Sequence, residues 1–142
     1  MDTIFKKIID REIPAEIVYE DDVVLVFLDN NPVHPGHTLV VPKAHCTNAL
    51  DAPPETLAHM MRVGQRVAQA IKHELRADGV NLIMNNGAAS GQEVFHAHLH
   101  VVPRYENDSS YSKPNKRPYE PGEAARVQET LRSSLSTSTP SN

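Results

Sequence analysis

Phe95-His96-Ala97-His98-Leu99-His100-Val101-Val102 is the most informative stretch of this chain. Successive side chains of a β-strand point to opposite faces, so this alternation places His96, His98 and His100 on one face. Neighbouring imidazoles then stand roughly 6–7 Å apart, two strand rises. Phe95, Ala97, Leu99 and Val101 face the other way, toward a core. The predicted strand runs over residues 94–102 and stops at Pro103. Three readings fit such a face. It can be an ordinary solvated strand, although Thr, Lys, Glu or Ser usually fill those positions. Three imidazoles can chelate a zinc ion with water in an open position, although no acidic or Cys partner stands in the strand. Or a neutral imidazole nitrogen can attack a phosphoryl centre, forming a phosphoramidate while its neighbours move protons near pH 7. The preceding loop, Asn86-Gly87-Ala88-Ala89-Ser90-Gly91-Gln92, favours the third. It is small and flexible, and such loops expose backbone N–H groups that can cradle an anion.

Outward from this strand, the chain alternates short apolar strands with helices. Residues 3–11 are predicted as a short helix capped by Thr3, with Ile4, Phe5, Ile8 and Ile9 along one side and Pro14 ending it. Residues 16–20 and 23–29 read as two strands around the acidic turn Glu20-Asp21-Asp22. The second is apolar almost throughout, so both of its faces are expected to be covered. Residues 30–36 are rich in turn formers, and 37–41 form a third strand ended by Pro42. Residues 54–77 form the long helix, opened by Pro53 and Pro54 and capped by Gly79. Residues 80–85 are strand four. The pattern predicts an α+β fold with an antiparallel five-stranded sheet. Residues 1–105 are the expected core domain. Residues 106–135 are an irregular segment followed by a helix, expected to pack on the core or on a partner subunit. Residues 136–142 are expected to be a disordered tail.

Length and composition narrow the classes further. A chain of 142 residues with 39% hydrophobic and 23% charged residues suits one globular domain. Fourteen basic against eighteen acidic residues leave a net charge of −4. Polymeric nucleic acid is therefore not an expected partner. The longest aliphatic or aromatic run is six residues, 23–28, against about 20 for a membrane helix. No signal-peptide core is visible. Cys46 is the single cysteine, which excludes an intramolecular disulfide or a zinc site built on several thiolates. A lone thiol fits a reducing compartment. The expected location is the cytoplasm, and also the nucleus in a eukaryote.

These features, in this order, resemble the histidine triad family of nucleotide hydrolases and transferases. The matching residues are His96-Ala97-His98-Leu99-His100-Val101-Val102, the opening Ile4-Phe5-Lys6-Lys7-Ile8-Ile9 with Glu12-Ile13-Pro14-Ala15, Phe27-Leu28-Asp29, Gly36-His37 through Pro42-Lys43, Asn85-Asn86-Gly87 and Gly91-Gln92. Together they span residues 3–105. The resemblance implies that His98 is the nucleophile that takes up a nucleoside monophosphate. It implies that His100 and Gln92 hold the phosphate, that Asn85 helps fix it, that His96 orients the site, and that His37 lines it. Asp29, with Asn30 beside it, would hold the ribose hydroxyls. Ile4, Phe5, Ile8 and Phe27 would wall the purine, positions that the residue pattern leaves open between pocket and core. Gly91, Glu93 and Leu99 complete the implied nucleotide-binding set.

The same resemblance implies a homodimer whose sheets join into one. It implies a purine nucleoside phosphoramidase or nucleotidyl hydrolase acting on AMP or its phosphoramidates, with no cofactor and no metal. The alternatives are a dinucleoside polyphosphate hydrolase like the fragile histidine triad branch, a nucleotide-binding regulatory module, and a histidine-ligated zinc hydrolase. Two features depart from the Hint branch of the family. Glu93 stands where a hydroxyl residue helps the leaving group, and the Trp-Pro-Pro-Gly ending is absent. His34, His45, His59, His73 and Cys46 are expected to carry no catalytic role.

Overall fold

Alternation along strands buried on both faces builds the centre of this fold. The computed structural model describes residues 2–109 and 116–137. Strands β1 (Ile17–Glu20), β2 (Val24–Leu28), β3 (Thr38–Pro42), β4 (Gly79–Ile83) and β5 (Leu99–Arg104) form one antiparallel sheet. Its order is β1-β2-β3-β5-β4. β2 and β3 pair without a slip from Val24↔Pro42 to Leu28↔Thr38. Even and odd positions of these strands supply two cores. Leu25, Phe27, Leu39 and Val41 pack with Phe5 and Ile8 of the short helix α1 (Ile4–Ile9). Val24, Val26, Val40, Leu99 and Val101 pack with Met60, Val63 and Ile71 of the long helix α2 (Pro54–Glu74). The near-continuous apolar run of β2 thus has a helix over each face, as a doubly covered strand requires.

α2 lies close on the sheet at Gly64, where an added Cβ would stand 2.6 Å from the Leu99 side chain. Pro54 opens the helix without losing a hydrogen bond, because a first-turn N–H has no partner within the helix. The helix stops at Glu74, short of the expected 77, because Arg76 adopts a left-handed φ of 54°. Gly79 therefore begins β4 and does not cap α2. The β1–β2 turn is organised by Asp21. Its carboxylate accepts from the amides of Val23 and Val24, from the Tyr19 hydroxyl, and from His59 of α2 at 2.7 Å. Desolvation opposes ionisation of Asp21, but these hydrogen bonds outweigh it and hold the carboxyl well below its ordinary range.

Strand five differs from its expected span. It begins at Leu99, not at 94, and continues through Arg104. Its ladder with β3 ends at Val40↔Leu99, and the amide of Ala97 donates instead to the Cys46 carbonyl at 2.8 Å. His96 and His98 therefore precede the regular ladder.

The chain divides into two compact units, Met1–Ser110 and Tyr111–Asn142. The first extends past the expected boundary at 105 because Asp108 is bonded to Arg104 and Tyr105. In the second, α3 (Glu123–Thr137) follows a segment in which the Arg117 guanidinium donates to both oxygens of Glu123. Of the expected tail, residues 136 and 137 belong to α3, and 138–142 lie outside the described residues. Among the described residues, no helix is long and apolar enough to cross a membrane.

Candidate functional site

His98 is poised as a base or nucleophile by one backbone hydrogen bond. Its Nδ1–H donates to the carbonyl of His96 at 2.7 Å. A neutral imidazole with Nδ1 protonated carries its lone pair on Nε2. The residue is buried and lines a cleft of about 810 Å³, where the Phe5 ring meets it edge-on at 4.9 Å. Desolvation lowers its pKa below the ordinary imidazole value, against smaller raising effects from the His96 carbonyl and from Asp29. His98 is thus held neutral at pH 7.

A second chain of hydrogen bonds assigns the proton on His100. The amide of Val33 donates to Nδ1 of His37 at 3.1 Å, so His37 carries its proton on Nε2. That Nε2–H donates to Nδ1 of His100 at 2.9 Å, which leaves Nε2 of His100 protonated as a donor. His100 also lines the cleft. Burial and the adjacent imidazoles of His98 and His37 push its pKa down to about 4. His37 is lowered chiefly by desolvation, partly offset by Asp29, whose carboxylate stands 3.6 Å from His37 Nε2. His98 thus offers a lone pair and His100 an N–H, from rings whose centroids are 4.8 Å apart.

Potential ligand atoms of Asp29, His37 and His100 lie within 4.8 Å of one another, a grouping able in principle to hold a cation. The tautomer of His37 argues against that use. A metal on Nε2 would leave a proton on Nδ1, facing the N–H of Val33. Two donors would then oppose each other in a buried place. The cluster is better suited to fixing protons.

His96 lies behind the cleft and does not line it. It is fully buried; its Nε2–H donates to the Pro42 carbonyl at 2.8 Å, and its Nδ1 is 3.2 Å from the Thr3 hydroxyl. The Thr3 oxygen also accepts from the Lys6 amide, which caps α1. His96 therefore links the start of α1 to the end of β3 and sets the helix whose Phe5 touches His98.

Three expectations are corrected here. Gln92 does not face the cleft. Its Oε1 accepts from Gly87 N at 2.8 Å and Asn48 Nδ2 at 3.1 Å, and its Nε2 donates to the carbonyls of Thr47 and Val94. All four hydrogen-bonding positions of the amide are engaged, leaving none for a phosphate. The glycine loop is likewise closed on itself. Gly87 and Gly91 take φ of 96° and 104°, and the 3₁₀ turn Ala88–Ser90 between them directs the amides of Ser90 and Gly91 to the carbonyls of Gly87 and Ala88. Leu99 presents its side chain to α2, because alternation along β5 sends it to the face opposite His100.

His37, expected to line the site, is buried against His100 and does not border the cleft, whereas the remaining expected residues do. Ile4, Phe5, Ile8 and Phe27 form its apolar end, and the last three belong to the α1-side core as well. Asp29 and Asn30 stand at the β2 end, with Asp29 Oδ1 accepting from the Asn31 amide at 2.9 Å. Asn85, Gly91 and Glu93 border it from the β4 side. Sequence reasoning missed Glu16, Leu39 and Val94, which also line it. It missed the clamp residue Asn48 too, since one buried Asn in a polar loop carries no pattern. His45, expected to be structural, donates to the Phe95 carbonyl at 2.9 Å and packs edge-on against His96.

Comparison with known proteins places this site in a family. Residues 10–107 match the family model of the HIT domain. An uncharacterized HIT-like protein of Methanocaldococcus jannaschii is 47% identical over 110 residues, spanning 78% of this chain and 84% of its own length. The adenylylsulfatase HINT3 of Arabidopsis thaliana is 40% identical over 116 residues, 82% of this chain and 59% of its own. The crystal structure of a HIT family protein from Bacillus anthracis shares the fold with a TM-score of 0.85 at 40% identity, covering 94% of this chain and 96% of that one. The sequence match runs through every strand that builds the cleft, and the chain belongs to the HIT, or histidine triad, family of nucleotide-binding hydrolases and transferases.

Proposed function

We propose that the protein is a purine nucleoside phosphoramidase that works through a nucleotidyl-histidine intermediate. The observation that carries this reading is the unprotonated Nε2 of His98, held by the bond from Nδ1 to the His96 carbonyl. Nε2 attacks the α-phosphorus, the Nε2–P bond forms and the P–N bond breaks. The leaving nitrogen takes up a proton from solvent, matched by the proton released in the second step, and departs as an amine. The imidazolium charge that develops is met by the His96 carbonyl. His100 donates its Nε2–H to a non-bridging phosphate oxygen. Water then attacks phosphorus, the Nε2–P bond breaks, a proton is released, and AMP leaves with His98 neutral again.

The apolar end formed by Ile4, Phe5, Ile8 and Phe27 supports a purine, and Asp29 beside Asn30 supports a ribose. The name of the Arabidopsis thaliana relative, an adenylylsulfatase, supports attack at an adenylyl phosphorus with a different leaving group. The working unit in this reading is a homodimer joined through a free sheet edge, and β1 and β4 are the two edge strands. Light scattering at twice the chain mass supports that state, and a monomer mass removes it. A cytoplasmic location goes with the lone buried thiol of Cys46.

The test is His98→Ala. The wild-type protein incubated with adenosine phosphoramidate is expected to show an adenylyl mass increment on His98. The variant is expected to show no adduct and to lose turnover by at least about 10³-fold, as removal of a covalent nucleophile does. Full activity in the variant would sink the proposal.

A further inference from the structure

The peptide groups on either side of His96 lie outside the sheet ladder. The β3–β5 ladder ends at Val40↔Leu99. Continuing that register would set Pro42 opposite Ala97, and proline has no N–H to pair. Two neighbouring residues of the loop after β3 take the place of the missing strand. The Nε2–H of His45 donates to the Phe95 carbonyl at 2.9 Å, and the Ala97 amide donates to the Cys46 carbonyl at 2.8 Å. A carbonyl can only accept, so the proton of this bond sits on His45 Nε2. The His45 ring also meets the His96 ring edge-on, with centroids 5.0 Å apart.

These anchors reach the nucleophile through one peptide group. The peptide that joins His96 to Ala97 donates its N–H to Cys46 and, through its carbonyl, accepts the Nδ1–H of His98 at 2.7 Å. The direction of the His96 carbonyl is therefore set by how residues 95–97 are seated. The anchor at Cys46 is backbone, so any residue at 46 supplies it. The anchor at His45 is a side chain, so it depends on the residue at that position. His45 is exposed, and its replacement opens no hole in either core.

We infer that His45 is a positioning residue: by holding the Phe95 carbonyl it keeps the His96 carbonyl aimed at His98 Nδ1, and so keeps His98 Nε2 free of a proton for attack. This rests on phosphoryl attack by His98. No proton passes through His45, and the bonds made and broken at phosphorus are unchanged. A misaligned His96 carbonyl admits the other neutral tautomer of His98, in which Nε2 carries the proton and offers no lone pair. It also meets the developing imidazolium less well. One neutral hydrogen bond is worth about fivefold in such an equilibrium or rate.

The test reads the His98 tautomer by nitrogen NMR on the full-length protein labelled at histidine, with the His98 signals assigned by their loss in His98→Ala. His45→Ala and His45→Leu remove the donor. His45→Gln returns an amide N–H close to where the ring Nε2–H stood. The wild type is expected to hold the proton on Nδ1. Both donor-less variants are expected to move the tautomer ratio about fivefold toward Nε2–H, and to lower kcat on adenosine phosphoramidate about fivefold with KM within about twofold. His45→Gln is expected to restore both to within about twofold of the wild type. A purely structural role would lower Tm and leave the tautomer ratio where it was. An unchanged ratio, a loss confined to KM, or no rescue by His45→Gln overturns the inference. The ratio is read without substrate, so an unchanged ratio alongside an adenylyl adduct on His98 leaves the proposed function standing. A wild-type His98 with its proton on Nε2 overturns both.

Discussion

At the residue scale, chemistry here depends on which nitrogen of each imidazole carries the proton. Each assignment follows from a fixed partner: the His96 carbonyl for His98, and the Val33 amide through His37 for His100. Burial then keeps these rings neutral where an exposed imidazole would be half protonated. The sign is definite. Protonation of His98 Nε2 removes the attacking lone pair, and burial lowers its pKa from the ordinary 6.5, so the acid midpoint of activity lies below 6.5. The kcat/KM profile is expected to fall on the acid side with a midpoint below 6.5; a midpoint at or above 6.5 contradicts the assignment. Stability follows the same direction. The unfolded chain takes up protons near 6.5, while folded His100 does so only near 4. Folding stability should therefore decline as pH falls through that window, visible as a decreasing Tm.

At the element scale, α1 does more than cover the sheet. Its cap Thr3 bonds both the Lys6 amide and His96, so the helix start and the site are mechanically one piece. Thr3→Ala is expected to cost about 1–2 kcal/mol in urea unfolding, from the lost cap and the unpaired His96 nitrogen. It should also raise KM for a nucleotide, since Phe5 and Ile8 line the cleft. An unchanged midpoint and KM would show that the contact has no mechanical role. The stripe of α1 and the doubly apolar β2 were legible in sequence because periodicity reports burial. The start of β5 was not. The triad alternates as a strand would, yet the ladder stops at Leu99 because Ala97 bonds to Cys46, a partner distant in the chain.

At the scale of the whole first unit, the loop that carries Asn30 is moored from afar. His34 bonds Asp108 at 2.9 Å, and the same carboxylate holds Arg104 and the Tyr105 amide at the end of β5. Asp108→Ala is expected to raise KM about threefold to tenfold with kcat little changed, because the loop borders the nucleotide cleft and His98 lies elsewhere. A fall in kcat with constant KM would contradict this mooring role.

Residues near in sequence carried their meaning openly. The spacing of His96, His98 and His100, the apolar alternation of β2 and the stripe of α1 are local patterns, and local patterns follow from backbone geometry. They were enough for the α+β class, the triad and its family resemblance. Assembly alone sorted the roles of long-range partners. It turned Gln92 inward to clamp residues 47 and 48, closed the glycine loop on its own carbonyls, sent Leu99 to α2 and moved His96 behind the cleft. A side-chain amide or imidazole finds its partner by proximity in space, and in these cases the partner lies up to 93 positions away along the chain.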